Sequence, residues 1–309
     1  MSAPRTRTWR PDWPCPVAQI LGVHRRGGGD PTYRLLPDGS HARGLRTPEG
    51  PATLVVAPTA TTGEVAARAW GSGAEWALDR LPRMLGADDD PAGFEPPAVL
   101  AAQWRRHRHW RLGATDLVLE SLVPTIIEQK VTGQEAFAAF RRLVRRFGER
   151  APGPDGLDLW VQPSPETLRM IPSWEWLRLP VDGGRSRPVV AAARVASSLE
   201  RAGAASHDEF DRRVRTIPGI GVWSSAEVRS RALGDPDAVS FGDYHIAKDV
   251  GWALVGAPVD DDGLAELLEP FRPHRHRVQH VVEAARLGRP RRGPRMAPRT
   301  HLPARRVSR

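Results

Sequence analysis

Apolar positions along this chain follow two regimes. Over the first ninety or so residues they come in short runs, PVAQILGVHR, PTYRLLP, HARGLRT and ATLVVAP, parted by GGGD, PDGS and PEG. Runs of this length between Gly, Pro and Asp clusters predict strands. EVAARAW alternates, and GSGAEWALDRLPRMLG predicts a helix closed by Gly86. From Pro97 onward the spacing becomes helical, through PAVLAAQWRRHRHW, TDLVLESLVPTIIEQKVT, GQEAFAAFRRLVRRFG, SPETLRMI, SWEWLRL and the long RPVVAAARVASSLE. Two further helical segments, HDEFDRRVRTI and VWSSAEVRSRAL, precede YHIAKDVGWAL and the closing DDGLAELLEPFRPHRHRVQHVVEAARLG. The fold class expected is therefore mostly α: a helical domain over residues 91–287, preceded by a small α+β domain with an antiparallel sheet over 1–90. DDDPAGFEPP supplies the boundary, and a Pro/Arg-rich tail without periodicity, expected to be disordered, occupies 288–309.

Composition narrows the function classes. The chain has 309 residues, enough for two domains and a sizeable core, and no fixed-period repeat. It lacks an apolar run of the roughly 18 residues a membrane helix needs, and MSAPRTRTWR has no signal-peptide apolar region. A soluble, cytoplasmic monomer without membrane contact is expected. The single cysteine, Cys15, rules out an internal disulfide and a four-cysteine iron–sulfur cluster. The net charge is +9, but residues 288–309 hold eight arginines and no acidic residue, so residues 1–287 sit near +1. Any nucleic-acid face on the body must then be a local patch. Candidates are Trp104–Arg111 and the pairs Arg141-Arg142 and Arg145-Arg146, each of which also reads as a solvated helix face. The tail offers salt-sensitive phosphate contacts, or serves only as a solubilising extension.

The stretch Arg215–His245 carries the most chemistry. Thr216, Ile217, Pro218, Gly219, Ile220 and Gly221 form a tight turn between two helical segments. Gly219 and Gly221 can take positive φ and bring bare backbone close to a ligand. Successive amides beside a helix N-terminus form an anion-binding concavity. Twenty-two positions after Gly221 stands Asp243, behind Gly242. A single carboxylate there serves either as a fixed negative charge in a site or as the N-cap of the helix that follows.

These residues resemble the helix-hairpin-helix (HhH-GPD) base-excision DNA glycosylases, whose signature is a hairpin of the pattern L/I-P-G-[VI]-G followed by a loop ending in a catalytic Asp. Within them the chain is most similar to DNA-3-methyladenine glycosylase II and related alkylbase enzymes. The resemblance covers most of residues 1–287 and is strongest from Leu122 to Ala253. It implies a monofunctional hydrolase that flips a damaged base out of double-stranded DNA, with Asp243 catalytic and the hairpin on the backbone. Such an enzyme would initiate base-excision repair in a cytoplasmic, nucleoid-associated setting. No organic cofactor or side-chain metal site is implied; a Na⁺ or K⁺ ion at the hairpin carbonyls is.

Lyase-type relatives carry a lysine two residues past the hairpin. Here that residue is Trp223, and the only lysines, Lys130 and Lys248, do not match. Trp223 reads as a pocket wall for a cationic base, or as core. Four residues on, where the alkylbase enzymes have an aromatic, stands Glu227. It would favour cationic bases, signal another substrate, or face solvent. In Glu128–Thr132 the family sets a duplex plug beside the glutamine, which matches Gln129 and Lys130. His274, His276 and His280 lack metal-ligand spacing and read as DNA-facing or surface residues. Two alternatives stand beside this reading: a glycosylase for oxidised or deaminated bases on the same scaffold, and a non-catalytic DNA-binding module.

Overall fold

The computed structural model describes residues 3–59 and 62–290; the tail from 291 lies outside the described residues. The N-terminal layer is an antiparallel sheet of β1 (Arg5–Trp9), β2 (Tyr33–Leu35), β3 (His41–Thr47), β4 (Gly50–Thr59) and β5 (Glu64–Trp70), in the order β1-β5-β4-β3-β2. Each expected strand from PTYRLLP onward is present. PVAQILGVHR is not a strand. It forms α1 (Val17–Gly22), because Val17, Ile20 and Leu21 repeat at helical spacing and all three are buried under the sheet. β1 went unanticipated in RTRTW, whose residues are mostly exposed; it is an edge strand made by pairing with β5. The expected helix before Gly86 is split into α2 (Ala74–Asp79) and α3 (Leu81–Met84), with Pro82 in the second.

The helical body follows: α4 (Ala101–His107), α5 (Val118–Glu128), α6 (Gly133–Phe147), α7 (Pro165–Met170), α8 (Ser173–Arg178), α9 (Gly183–Arg194), α10 (Ala196–Ala205), α11 (His207–Val214), α12 (Val222–Val228), α13 (Ile246–Val255), α14 (Asp261–Leu268) and α15 (Arg275–Ala284). A two-stranded hairpin, β6 (Glu149–Arg150) and β7 (Trp160–Val161), interrupts them beside β3. The long segment RPVVAAARVASSLE breaks at Val195 into α9 and α10. Among the described residues no helix is long and apolar enough to cross a membrane.

Local signals start these helices. Thr132 and Glu135 form a reciprocal capping box on α6. At α5 the cap is distant in sequence: the Glu200 carboxylate of α10 accepts the Val118 and Leu119 amides, both at 3.0 Å. Apolar packing then divides into three main clusters. The first joins α5, α6 and α9–α12. The second joins the sheet to α1–α3, and the third joins α13–α15 to Phe94 and Leu100. Where these clusters meet, the layers leave a cavity.

Candidate active site

The hairpin is held by its apolar anchors. Ile217 and Ile220 are buried in the helical core, while Thr216, Pro218, Gly219 and Gly221 stay exposed. The Ile220 amide closes the turn on the Ile217 carbonyl at 3.0 Å. Gly219 sits at φ 90°, and a Cβ there would meet Pro188 Cγ at 2.6 Å. Gly219→Ala is therefore expected to destabilise the fold by about 1–3 kcal/mol through backbone strain alone. Thermal unfolding of the variant measures it; an unchanged midpoint would show that the turn relaxes freely. Gly221, in contrast, is extended at φ −109° rather than at positive φ. Its role is room: nothing stands within 4 Å of where a side chain would begin. α12 starts there without a side-chain cap, so its first amides are left for an acceptor outside the chain.

Gln129 does not project outward as a plug. Its Nε2 donates to Gly219 O at 2.9 Å and to Ser224 Oγ at 2.8 Å, tying the end of α5 to the hairpin. Lys130, next to it, is exposed at φ 55° on the turn that follows α5.

Asp243 stands at the other side of α12. Gly242 precedes it at φ 84°, turning the chain toward α13. One carboxylate oxygen, Oδ1, accepts the amides of His245 (2.7 Å) and Ile246 (3.2 Å) and so caps α13. The other, Oδ2, accepts the Trp223 indole N–H at 3.1 Å. The carboxylate is thus fixed at both oxygens, one by the start of α13 and the other by the Trp223 indole. Asp243 and Trp223 line a cavity of about 720 Å³.

The cavity is assembled from both layers of the fold. Ile20 reaches it from α1 and Val23 from just past it, Trp110 to Gly113 from the segment before α5, and Glu128 from the end of α5; the rest comes from α12, α13 and α15, the turn at Ser230-Arg231, and Gly288 and Arg289. Glu227 lies in its wall and is buried rather than solvent-facing. Oε1 accepts Ser240 Oγ at 2.7 Å and Oε2 pairs with Arg231. Burial opposes its ionisation, but Arg231 and the Ser240 hydroxyl outweigh that and hold its carboxyl below the usual range. Its charge is therefore already matched inside the wall.

The three histidines are not surface residues, because α15 turns them inward. His274 is buried against Phe94 and accepts from Arg277 Nε at 3.2 Å. His276 bonds the Ala238 carbonyl at 2.8 Å and lines the cavity. His280 stacks on Trp110 with centroids 3.5 Å apart and planes 9° from parallel. Burial, then the neighbouring His276, His107 and Arg277, push its pKa well below the ordinary histidine value, so this stack carries no charge at neutral pH. Trp110 is thus a cavity residue as well as a packing one.

His276, Gln279, His280 and Glu283 form a polar stripe on α15 facing the cavity, with Arg286 just past the helix end; Val278 and Val281 are buried in the packing of the helix. The spacings of three and four that make this stripe are present in the sequence, but they do not show which face of the helix meets a cavity. Gln279 also holds the Asp243 loop, donating to Ser240 Oγ (3.1 Å) and accepting from Ser240 N (3.1 Å). Among the described residues no group of three or more His, Cys, Asp or Glu is arranged to hold a metal ion.

No protein-family model matches the sequence. The chain is similar to a curated protein of Mycobacterium tuberculosis, a probable bifunctional transcriptional activator/DNA repair enzyme AlkA, at 26% identity over 216 residues. That match covers 66% of this chain and 42% of the relative, so it spans less than half of the relative's length. Among solved structures it is similar to the 3-methyladenine DNA-glycosylase from Archaeoglobus fulgidus, with a TM-score of 0.74, 15% identity, and coverage of 91% of this chain and 98% of that one. It is also similar to the Clostridium acetobutylicum 8-oxoguanine glycosylase/lyase, with a TM-score of 0.69, 12% identity, and coverage of 91% and 97%. Over nine-tenths of its length, the chain carries the fold of the helix-hairpin-helix DNA glycosylases.

Proposed function

We propose that this protein is a monofunctional DNA glycosylase that releases alkylated purines of the 3-methyladenine type from double-stranded DNA and so initiates base-excision repair. One observation carries the reading: a carboxylate fixed by a helix end and an indole borders a cavity beside a turn of free backbone amides. The two curated and solved relatives named for DNA repair and 3-methyladenine support it.

The glycosidic bond is inaccessible in a stacked duplex, so the nucleotide must leave the helix at a cost of a few kcal/mol. Amides at Gly219 and Gly221 would grip the phosphate flanking the extruded residue. As the bond breaks, positive charge develops on the sugar, and the Asp243 carboxylate stabilises it and orients the attacking water. The Trp223 ring offers a stacking face for the base. Ile217 O and Gly219 O each keep a lone pair beyond their internal hydrogen bonds, and they would hold a Na⁺ or K⁺ ion that braces the turn.

The chemistry requires no amine nucleophile. Lys248 is turned onto Tyr244, its Nζ 3.0 Å from the Tyr244 carbonyl and 4.1 Å from the ring centre, and Lys130 is exposed on the turn after α5, outside the cavity lining. Borohydride treatment of the enzyme with abasic DNA is expected to trap no covalent adduct. A strong adduct would overturn the monofunctional assignment. Hydrogen-bonding groups in the cavity, Gln279 and Glu283, favour a second reading in which oxidised or deaminated bases are substrates. Single-lesion duplexes separate the two, and a chain that releases nothing from any of them would be a DNA-binding module only.

A further inference from the structure

Past its last helix the chain turns back to the cavity that holds Asp243. α15 closes in a doubly hydrogen-bonded turn: the Arg286 amide donates to Glu283 O at 3.1 Å and the Leu287 amide to Val282 O at 3.0 Å. Arg286 stands in the left-handed region at φ 54°, which reverses the chain, and Leu287 packs against the third apolar cluster. The next two residues are held against α13. The Arg289 amide donates to Asp249 Oδ1 at 3.1 Å. Gly288 lies so close that a Cβ there would meet the Asp249 carboxyl carbon at 2.6 Å. Gly288 and Arg289 both line the cavity, and Arg289 is exposed, so the chain continues from the cavity's open side.

What continues from there is strongly basic. Residues 291–309 hold seven arginines and no acidic residue, whereas residues 1–287 sit near +1. The cavity lining itself sets five carboxylates against four arginines, so it offers a phosphate backbone no surplus of positive charge. We propose that the arginine-rich segment 291–309, aimed by the Asp249 contacts, binds the phosphates flanking the extruded nucleotide. The inference rests on the glycosylase reading. It assigns the segment a place as well as a charge: phosphates beside the lesion rather than any stretch of duplex. Guanidinium groups suit that partner, because their planar fork of donors matches two phosphate oxygens at once. The nineteen residues from 291 to 309 reach at most about 65 Å, enough to follow many successive phosphates of one strand while residue 289 stays at the cavity.

The test measures affinity for abasic duplex against salt in three proteins: the full chain, a chain ending at Pro290, and a full-length chain whose seven arginines beyond Pro290 are changed to glutamine. Each phosphate contact steepens the fall of log affinity with log salt by about 0.9. Loss of three or more contacts should therefore flatten the slope by about 2.7 or more, making the weakening about 40-fold greater at about 50 mM than at about 200 mM salt. Both altered chains should behave alike, and both should release a methylated base at saturating enzyme within about threefold of the wild-type rate. Position is read separately, from a photo-crosslinker attached at Arg292→Cys in a Cys15→Ser chain. Three residues from Arg289 span about 10 Å. With a probe of similar reach, crosslinks should fall within about six nucleotides of the abasic site. An unchanged slope, crosslinks scattered along the duplex, or tighter binding by the shortened chain would each overturn the proposal, while base release keeps the glycosylase reading standing. A full chain that releases no base from any lesion would instead sink that reading, and this inference with it.

Discussion

Asp243→Asn should lower base release by about 10²- to 10³-fold or more, the scale seen when a fixed electrostatic partner of a transition state is removed. The substitution keeps the size of the side chain and deletes its charge. Asparagine can still accept the His245 and Ile246 amides through its one carbonyl oxygen. Its NH₂ group would then face the Trp223 indole N–H, donor against donor, where the carboxylate now accepts at 3.1 Å. A modest stability loss, of about 1 kcal/mol for the lost bond, accompanies the kinetic effect and is too small to explain it. The decisive comparison is between release from a methylated duplex and affinity for abasic DNA: the first should vanish and the second survive. Retained release would remove Asp243 from the chemistry.

The largest expected effect on stability lies at Arg277. This side chain is fully buried and pairs with the equally buried Asp89 at 2.5 Å. It also donates to the Asp90 carbonyl at 3.2 Å, while Asp89 accepts the Leu112 amide at 2.8 Å. The pair therefore clasps three stretches together: the segment joining the two layers, the cavity wall at Leu112, and α15. Arg277→Met leaves Asp89 as an uncompensated buried charge and should cost about 3–5 kcal/mol, read as a shift in the denaturant midpoint. Arg277→Met combined with Asp89→Leu should recover much of that, because a buried ion pair adds little over an apolar pair of similar volume. A single variant within about 1 kcal/mol of wild type would show that water reaches Asp89 and that the clasp is not closed.

What the sequence carried on its own was local chemistry. The run from Thr216 to Gly221 announces a turn because its glycines and proline restrict the backbone, whatever surrounds them. The Gly242-Asp243 pair predicts a capped helix start for the same reason, and the alternating strands and amphipathic helices follow from side-chain periodicity. That periodicity failed where a run was short: PVAQILGVHR fits a strand and one helical turn equally, and packing of Val17, Ile20 and Leu21 under the sheet decided for helix. It also failed at β1, whose residues pair with β5 across some sixty positions of chain.

Only the tertiary structure decided the contents of the cavity. Ile20, Trp110, Glu227, Asp243 and Glu283 meet there from five separate stretches, and no spacing rule links positions so far apart. The same holds for charge. Glu227 reads as an open carboxylate until Arg231 and Ser240 are seen on it, and the α15 histidines read as surface groups until Trp110 and Phe94 cover them. Burial and partnership set whether an ionisable side chain is a charge, an acid or a piece of packing, and both are properties of the assembled fold.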